Sequence, residues 1–285
     1  GGFFMDSKGQ KNFCGNGNYA DIGVFSFHPV KHIACGEGGM ITTNSKKLYD
    51  RLLLLRTHGI TKENIVENHG GWYYEMIELG FNYRLTDFQS SLGITQLAKN
   101  NKGLERRNEI SAAYKKAFEG KIKFQEFPNE MYNAYHLFII EVENRKELYN
   151  YLRAYNIFSQ IHYIPVHLLP YYKNIGYDEA NLIHSENYYS KCISLPMYPT
   201  LKFSEQKFVI DKVARLFEQG LISSKDIAEE MVTILKSKRD ELVFKMKLTS
   251  KDEFEVLSKR VENLEKKIQK LQTEKNKKSK RVKKS

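Results

Sequence analysis

Cysteine is scarce in this chain. Cys14, Cys35 and Cys192 are the only three in 285 residues, odd in number, far apart and in no CxxC arrangement. Neither a disulfide framework nor a zinc site is indicated, and a reducing, cytoplasmic setting is the expectation. Long apolar runs are missing too: none approaches the roughly 18–20 residues needed to span a bilayer, and no charged-then-apolar signal pattern is present. There is no initiator Met, so the opening Gly1-Gly2-Phe3-Phe4 reads as a start in mid-domain. Internal repeats are absent. An excess of one charge sign is absent from most of the chain as well. Residues 221–285 hold 19 Lys/Arg and 11 Asp/Glu, whereas residues 1–220 hold 26 and 23, so the net +11 is mainly a property of the C-terminus. A specific nucleic-acid-binding body is not expected from that distribution.

What is present is a globular composition, 41% hydrophobic and 13% aromatic. The short apolar stretch Ile22 to Phe27 predicts a buried strand, ended where Pro29 holds the backbone extended. Gly36-Glu37-Gly38-Gly39 permits a reversal into a second strand, Met40 to Thr43. Asn44 or Ser45 caps a helix with Leu48, Leu52 and Leu55 on one face, closed by Gly59. A long aromatic loop spans Ile60 to Gly80. Thr86 and Gln89 form a capping box for a helix to about Asn100, and a second amphipathic helix runs from Leu104 to Phe118. Beyond Pro128 the pattern is α+β: a strand from His136 to Val142, a helix from Arg145 to Tyr155, a strand from Ile157 to Tyr163 and a last helix from Ser204 to Phe217.

From Ser223 the reading is helical and charged. Ser250 and Glu253 make a capping box, and Phe254, Leu257, Val261, Leu264, Ile268 and Leu271 recur at spacings of 3 and 4, a heptad seam. Residues 275–285 carry seven basic side chains and no acid, and are expected to be disordered.

One lysine stands out by context. Lys31 follows the strand ending Ser26-Phe27-His28-Pro29-Val30 and precedes the glycine turn. A lysine that bonds a cofactor aldehyde needs such a rigid support and a partly desolvated amine. The competing reading is a solvated surface charge. His28 alternates with Ser26 and should share its face, either beside a ligand or as a packing histidine. Tyr83 and Arg84 suit a pyrophosphate or, equally, an interface salt bridge. His162 and His167, five apart on a Pro-broken segment, are a poor metal pair, and no metal site is expected.

SFHPVK, GEGGMITTN, LRTHGI, GFNYRLTD, HYIPVH and SLPMYP, in this order, resemble the DegT-like sugar aminotransferases of fold type I, which depend on pyridoxal 5'-phosphate (PLP). Within the family, the Gly71–Glu75 loop and the stretch His162 to Tyr172 look most like the branch serving pseudaminic acid biosynthesis. The resemblance implies an α/β fold: a partial PLP-binding large domain over 1–100 and a small α+β domain over 101–219, to which the heptad pattern adds a helical coiled-coil tail over 220–274. It implies Lys31 as the Schiff-base and proton-shuttling lysine, with Ser26 on the PLP phosphate. Asn82 would reach that phosphate from the neighbouring subunit of a homodimer. His28, Tyr83, Arg84, His162, Tyr163 and His167 would bind substrate, a UDP-linked 4-keto-6-deoxy-2-acetamido sugar aminated from glutamate.

Two departures accompany it. The family's acidic partner of the pyridinium nitrogen, its ring-stacking aromatic and its phosphate loop match nothing after Gly1, and Asp6 and Asp21 are poor substitutes. The tail from Arg239 to Leu271 resembles small bacterial coiled-coil proteins described as membrane-fusogenic or ubiquinone-synthesis accessory factors, and suits contact with another helix or an acidic surface. A second reading of the chain is therefore an inactive aminotransferase fragment that acts as an oligomerisation or interaction protein.

Overall fold

The computed structural model describes residues 1–63, 70–177, 181–218, 224–245 and 251–282, in two compact units, Gly1–Leu221 and Ile222–Ser285. In the first unit β1 (Phe3–Met5) and β2 (Lys11–Phe13) precede a hairpin of β3 (Gly23–Ser26) and β4 (Gly39–Thr42). Helix α1 (Lys46–Arg56) leads to a second small hairpin, β5 (Ile60–Thr61) with β6 (Glu75–Met76), and then to α2 (Asp87–Phe118). Four strands and three helices follow: β7 (Lys123–Phe124), β8 (Met131–Tyr132), β9 (Phe138–Glu141), α3 (Arg145–Ala154), the single turn α4 (Pro170–Tyr172), α5 (Ile183–Lys191) and β10 (Cys192–Leu195). Helix α6 (Phe203–Glu218) completes the unit. The sheets run β2-β1-β8 and β10-β9-β7, and every strand pairing among the described residues is antiparallel.

The core lies between the C-terminal half of α2, the β9–β10 pair, α3 and α6. Ile110, Tyr114, Ile140, Leu152, Ile193 and Val213 are completely buried. Tyr114 packs its ring 5.0 Å from that of Phe138 and donates its hydroxyl to the Pro196 carbonyl at 3.0 Å. Burial pushes that phenol well above its ordinary value. Gln206 of α6 donates to the Ile110 carbonyl at 2.7 Å, so the one buried amide between the two helices has an acceptor.

Four expectations need correction. The strand expected at Ile22 to Phe27 is β3, but it is not buried: Val24 is 76% exposed, because a two-stranded ribbon has no second layer to cover its outer face. The two helices expected between Thr86 and Phe118 are one. The capping box is formed as predicted, Gln89 N–H to Thr86 Oγ1 at 3.3 Å and Thr86 N–H to Gln89 Oε1 at 3.1 Å, but Gly103 does not stop the helix. Its propensity cost of about 1 kcal/mol is small beside the packing that begins at Leu104. The strand expected over Ile157 to Tyr163 reduces to one antiparallel bridge, Gln160 to Ser194. The aromatic loop after Ile60 contains the β5–β6 hairpin, pinned where Gly59, at φ 67°, lies against the Glu78 carbonyl with no space for a Cβ. Ser45, rather than Asn44, caps α1 through the Leu48 N–H.

The second unit contains α7 (Ser224–Lys245) and α8 (Lys251–Val282). Phe254, Leu257, Val261, Leu264 and Ile268 of the heptad pattern are all at least half exposed. The box expected from Ser250 and Glu253 and the side chain of Leu271 lie outside what the structure describes. The basic stretch after Lys275, expected to be disordered, is helical as far as Val282. No helix among the described residues is long and apolar enough to cross a membrane.

Candidate active site

Local sequence fixes where Lys31 sits. After β3 the chain turns at Pro29, Lys31 N–H donating to the His28 carbonyl at 2.9 Å, and the loop is tied back by Cys35 N–H to Phe27 O at 2.9 Å. The half-buried Lys31 side chain reaches His136, just before β9, with Nζ 3.4 Å from Nε2. Both line a cavity of about 1060 Å³ together with His32, His162 and Tyr163. Lys99, Lys102, Arg106 and Arg107 of α2 form another part of the wall, and none of the described residues lining it is a carboxylate.

The histidines are neutral by environment. Burial depresses His136 to about 4, and the positive charge of Lys31, of His32 once protonated, of Arg107 and of His162 once protonated adds to the effect. His32 is also depressed by burial, although it donates from Nε2 to the Ala134 carbonyl at 2.9 Å. His162 is depressed by burial and then by Lys31, and its Nδ1 lies 2.8 Å from Ser194 Oγ. Arg107 ties these pieces together. Its buried guanidinium donates to the carbonyls of Tyr135, His136 and Met197 at 3.0, 3.2 and 3.0 Å, clamping α2 to the segments before β9 and after β10.

Of the residues singled out from sequence, the structure brings Lys31, His162 and Tyr163 to this cavity and does not bring the others. Ser26 is exposed, its Oγ 3.4 Å from the His28 N–H, and His28 is exposed with Nε2 3.9 Å from Glu37. Asn82 accepts from Arg84 Nε at 2.8 Å, and Tyr83 stacks on Phe81, all three at the surface. His167 is buried away from the cavity and paired with Glu186 at 2.9 Å. Asp6 caps its own turn, accepting from the backbone of Gln10 and Lys8 at 2.9 Å each, and the Gln10 bond leads in holding its carboxyl below the ordinary value. The sequence reading missed His32, His136 and Arg107. Only Arg107 left a signal, a cation in register with the apolar Leu104, Ile110, Tyr114 and Phe118.

These residues fit PLP in part. Lys31 offers an amine on a rigid turn at a cavity of sufficient size, and the cationic wall suits a phosphate. A carboxylate for the pyridine nitrogen is not among the lining residues. Among the described residues no group of three or more His, Cys, Asp or Glu could hold a metal.

Known proteins share this arrangement of chain. SpsC, a spore coat polysaccharide biosynthesis protein of Bacillus subtilis, is 35% identical over 215 residues, 69% of this chain and 54% of SpsC. The UDP-4-amino-4,6-dideoxy-N-acetyl-beta-L-altrosamine transaminase of Campylobacter jejuni is 35% identical over 210 residues, 71% of this chain and 54% of the transaminase. Among solved structures, Spr1654 of Streptococcus pneumoniae, designated a sugar aminotransferase, superposes in its PMP form with a TM-score of 0.69 at 29% identity, covering 77% of this chain and 57% of that one. Spr1654 is also solved in a PLP form, in agreement with the cofactor expected from the motifs. The chain spans about half the length of the curated relatives it matches. The model of the DegT/DnrJ/EryC1/StrS aminotransferase family matches residues 9–214, and the chain belongs to that family of PLP-dependent aminotransferases.

Proposed function

We propose that this chain is part of an enzyme that transfers the amino group of glutamate to C4 of a UDP-linked 4-keto-6-deoxy-2-acetamido sugar, as in pseudaminic acid-type nucleotide-sugar biosynthesis. The observation that carries the reading is the Lys31 amine on the wall of a cavity of about 1060 Å³ whose other charged side chains are cationic. The Campylobacter jejuni relative supports the choice of sugar. Bound PLP supplies an electron sink at the substrate carbon. Lys31 anchors the cofactor and carries the proton at Nζ. A lysine here favours transamination over the dehydrations of the same cofactor. Lys99, Lys102 and Arg106 attract the anionic parts of cofactor and sugar nucleotide, and His162 with Tyr163 borders the sugar.

Ser26 and His28 sit at the end of β3 that carries the Lys31 turn, and we assign them to the phosphate and the substrate. Asn82, Tyr83 and Arg84 are exposed and off the cavity of their own chain. That supports a homodimer in which they reach the equivalent cavity of a second copy. His167 borders the sugar only through the segment it anchors by its bond to Glu186.

The test is reduction with borohydride in the presence of PLP, in a version of the protein as long as its relatives. The pyridoxyl label should map to Lys31, and Lys31→Ala should abolish release of 2-oxoglutarate from glutamate. Labelling of another lysine would overturn the assignment. The 285-residue chain alone should release none above background, because none of the described residues lining its cavity is a carboxylate that could pair with the pyridine nitrogen.

The exposed apolar seam of α8 favours one second reading, in which the C-terminal unit is an interaction element that pairs with another helix.

A further inference from the structure

His136 is the nearest polar partner that the structure gives the Lys31 amine, and sequence reading assigns it nothing beyond the start of a strand. Both partners are held from behind. Lys31 sits on the turn closed by the His28 carbonyl, and the backbone of His136 is clamped by the Arg107 guanidinium. The contact is therefore made between two fixed pieces of chain rather than between two mobile side chains. The other nitrogen of the same imidazole, Nδ1, is buried and has no hydrogen-bond partner. A buried ring nitrogen without a partner is costly, and its retention asks what the exposed half of the ring does.

We propose that His136 is the positioning residue of Lys31, its Nε2 accepting a hydrogen bond from the Nζ ammonium and holding the amine at the cavity wall. The inference rests on reading Lys31 as the reactive lysine. The groups facing His136 are Lys31, His32, Arg107 and His162, all cationic or basic, so the imidazole stays neutral and its lone pair stays available. Accepting at Nε2 places the ring proton on Nδ1, where it has no partner. The charge-assisted bond from the ammonium offsets that loss. When Lys31 gives up its proton the roles reverse: the other tautomer donates from Nε2 to the neutral amine and leaves Nδ1 as a bare lone pair. One contact thus serves both protonation states of Nζ. The stronger bond is to the charged form, so His136 holds the ammonium in place until a reaction partner arrives.

The test uses the 285-residue chain without cofactor. Acetic anhydride labelling of Lys31 at a single pH is followed over time by mass spectrometry, in the wild type and in His136→Phe, which keeps the ring shape and removes the acceptor. Loss of the acceptor should free the amine and raise the labelling rate about three- to tenfold, and His136→Gln, which restores an acceptor, should recover part of the protection. An unchanged rate in His136→Phe overturns the proposal.

Should His136→Phe fail to fold, the reciprocal measurement decides. In Lys31→Met the imidazole midpoint of His136, read by NMR, should rise from about 4 as the neighbouring charge is removed, and a midpoint that stays there overturns the pairing. Borohydride labelling separates the two ideas. A pyridoxyl group on a different lysine, with the change in Lys31 labelling rate intact, sinks the assignment of Lys31 as the reactive lysine. A pyridoxyl group on Lys31 with no change in labelling rate sinks the role of His136 alone.

Discussion

Arg107 is a buried cation held by three backbone carbonyls that come from two segments distant in sequence. Its removal leaves those acceptors short of a donor, and Arg107→Met should cost on the order of 2–3 kcal/mol in denaturant unfolding. A cost below that of an ordinary surface substitution would mean that water replaces the guanidinium. The histidines set a second expectation. His32, His136 and His162 all have folded values below the ordinary 6.5, with burial as the leading cause. A base depressed in the folded state takes its proton more readily once unfolded. Stability should therefore be whole above about pH 6.5 and fall as the pH drops toward 4, where His136 itself becomes charged. Thermal melts across that window should show the decline, and His136→Phe should make it shallower.

Helix α2 has two halves with different support. From Leu104 onward its residues enter the core, whereas Phe88, Ile94 and Leu97 are 83%, 71% and 61% exposed. The N-terminal half is held mainly by its own hydrogen bonds and by the Thr86–Gln89 box. Amide exchange should be fast over residues 90–100 and slow over 107–118. Thr86→Ala should cost about 1 kcal/mol of helix stability and speed exchange in the first half only. Equal protection along the whole helix would show that something covers Phe88 and Ile94 in solution.

At the scale of the molecule, the C-terminal unit carries both the exposed seam of α8 and most of the net charge. Fewer than three heptads make a marginal pair, so association through α8 should be weak. Sedimentation of the full chain over a range of concentrations should show self-association that Leu264→Asp with Ile268→Asp reduces. Association unaffected by the pair of aspartates would assign it to another surface.

What the sequence determined by itself was local or motif-borne. The Thr86 cap, the helix from Arg145, the helix from about Ser204 and a strand within His136 to Val142, observed as Phe138–Glu141, are written in spacings of two, three and four residues. The family could be read from six short motifs. The break expected between Asn100 and Leu104 and the strand expected from Ile157 were misjudged because propensity is a weak signal beside packing against a neighbour distant in sequence. Strand β10, Cys192–Leu195, is the most completely buried of all, yet four residues are too few to display a period.

The cavity was decided by tertiary structure alone. Lys31, Arg107, His136 and His162 are separated by tens of residues, and no periodicity links them. Only the folding of α2 against β9 and β10, with Arg107 bridging their carbonyls, brings an amine and three neutral imidazoles to one wall. The motifs could point to Lys31, but its partner depends on which atoms desolvation places within reach.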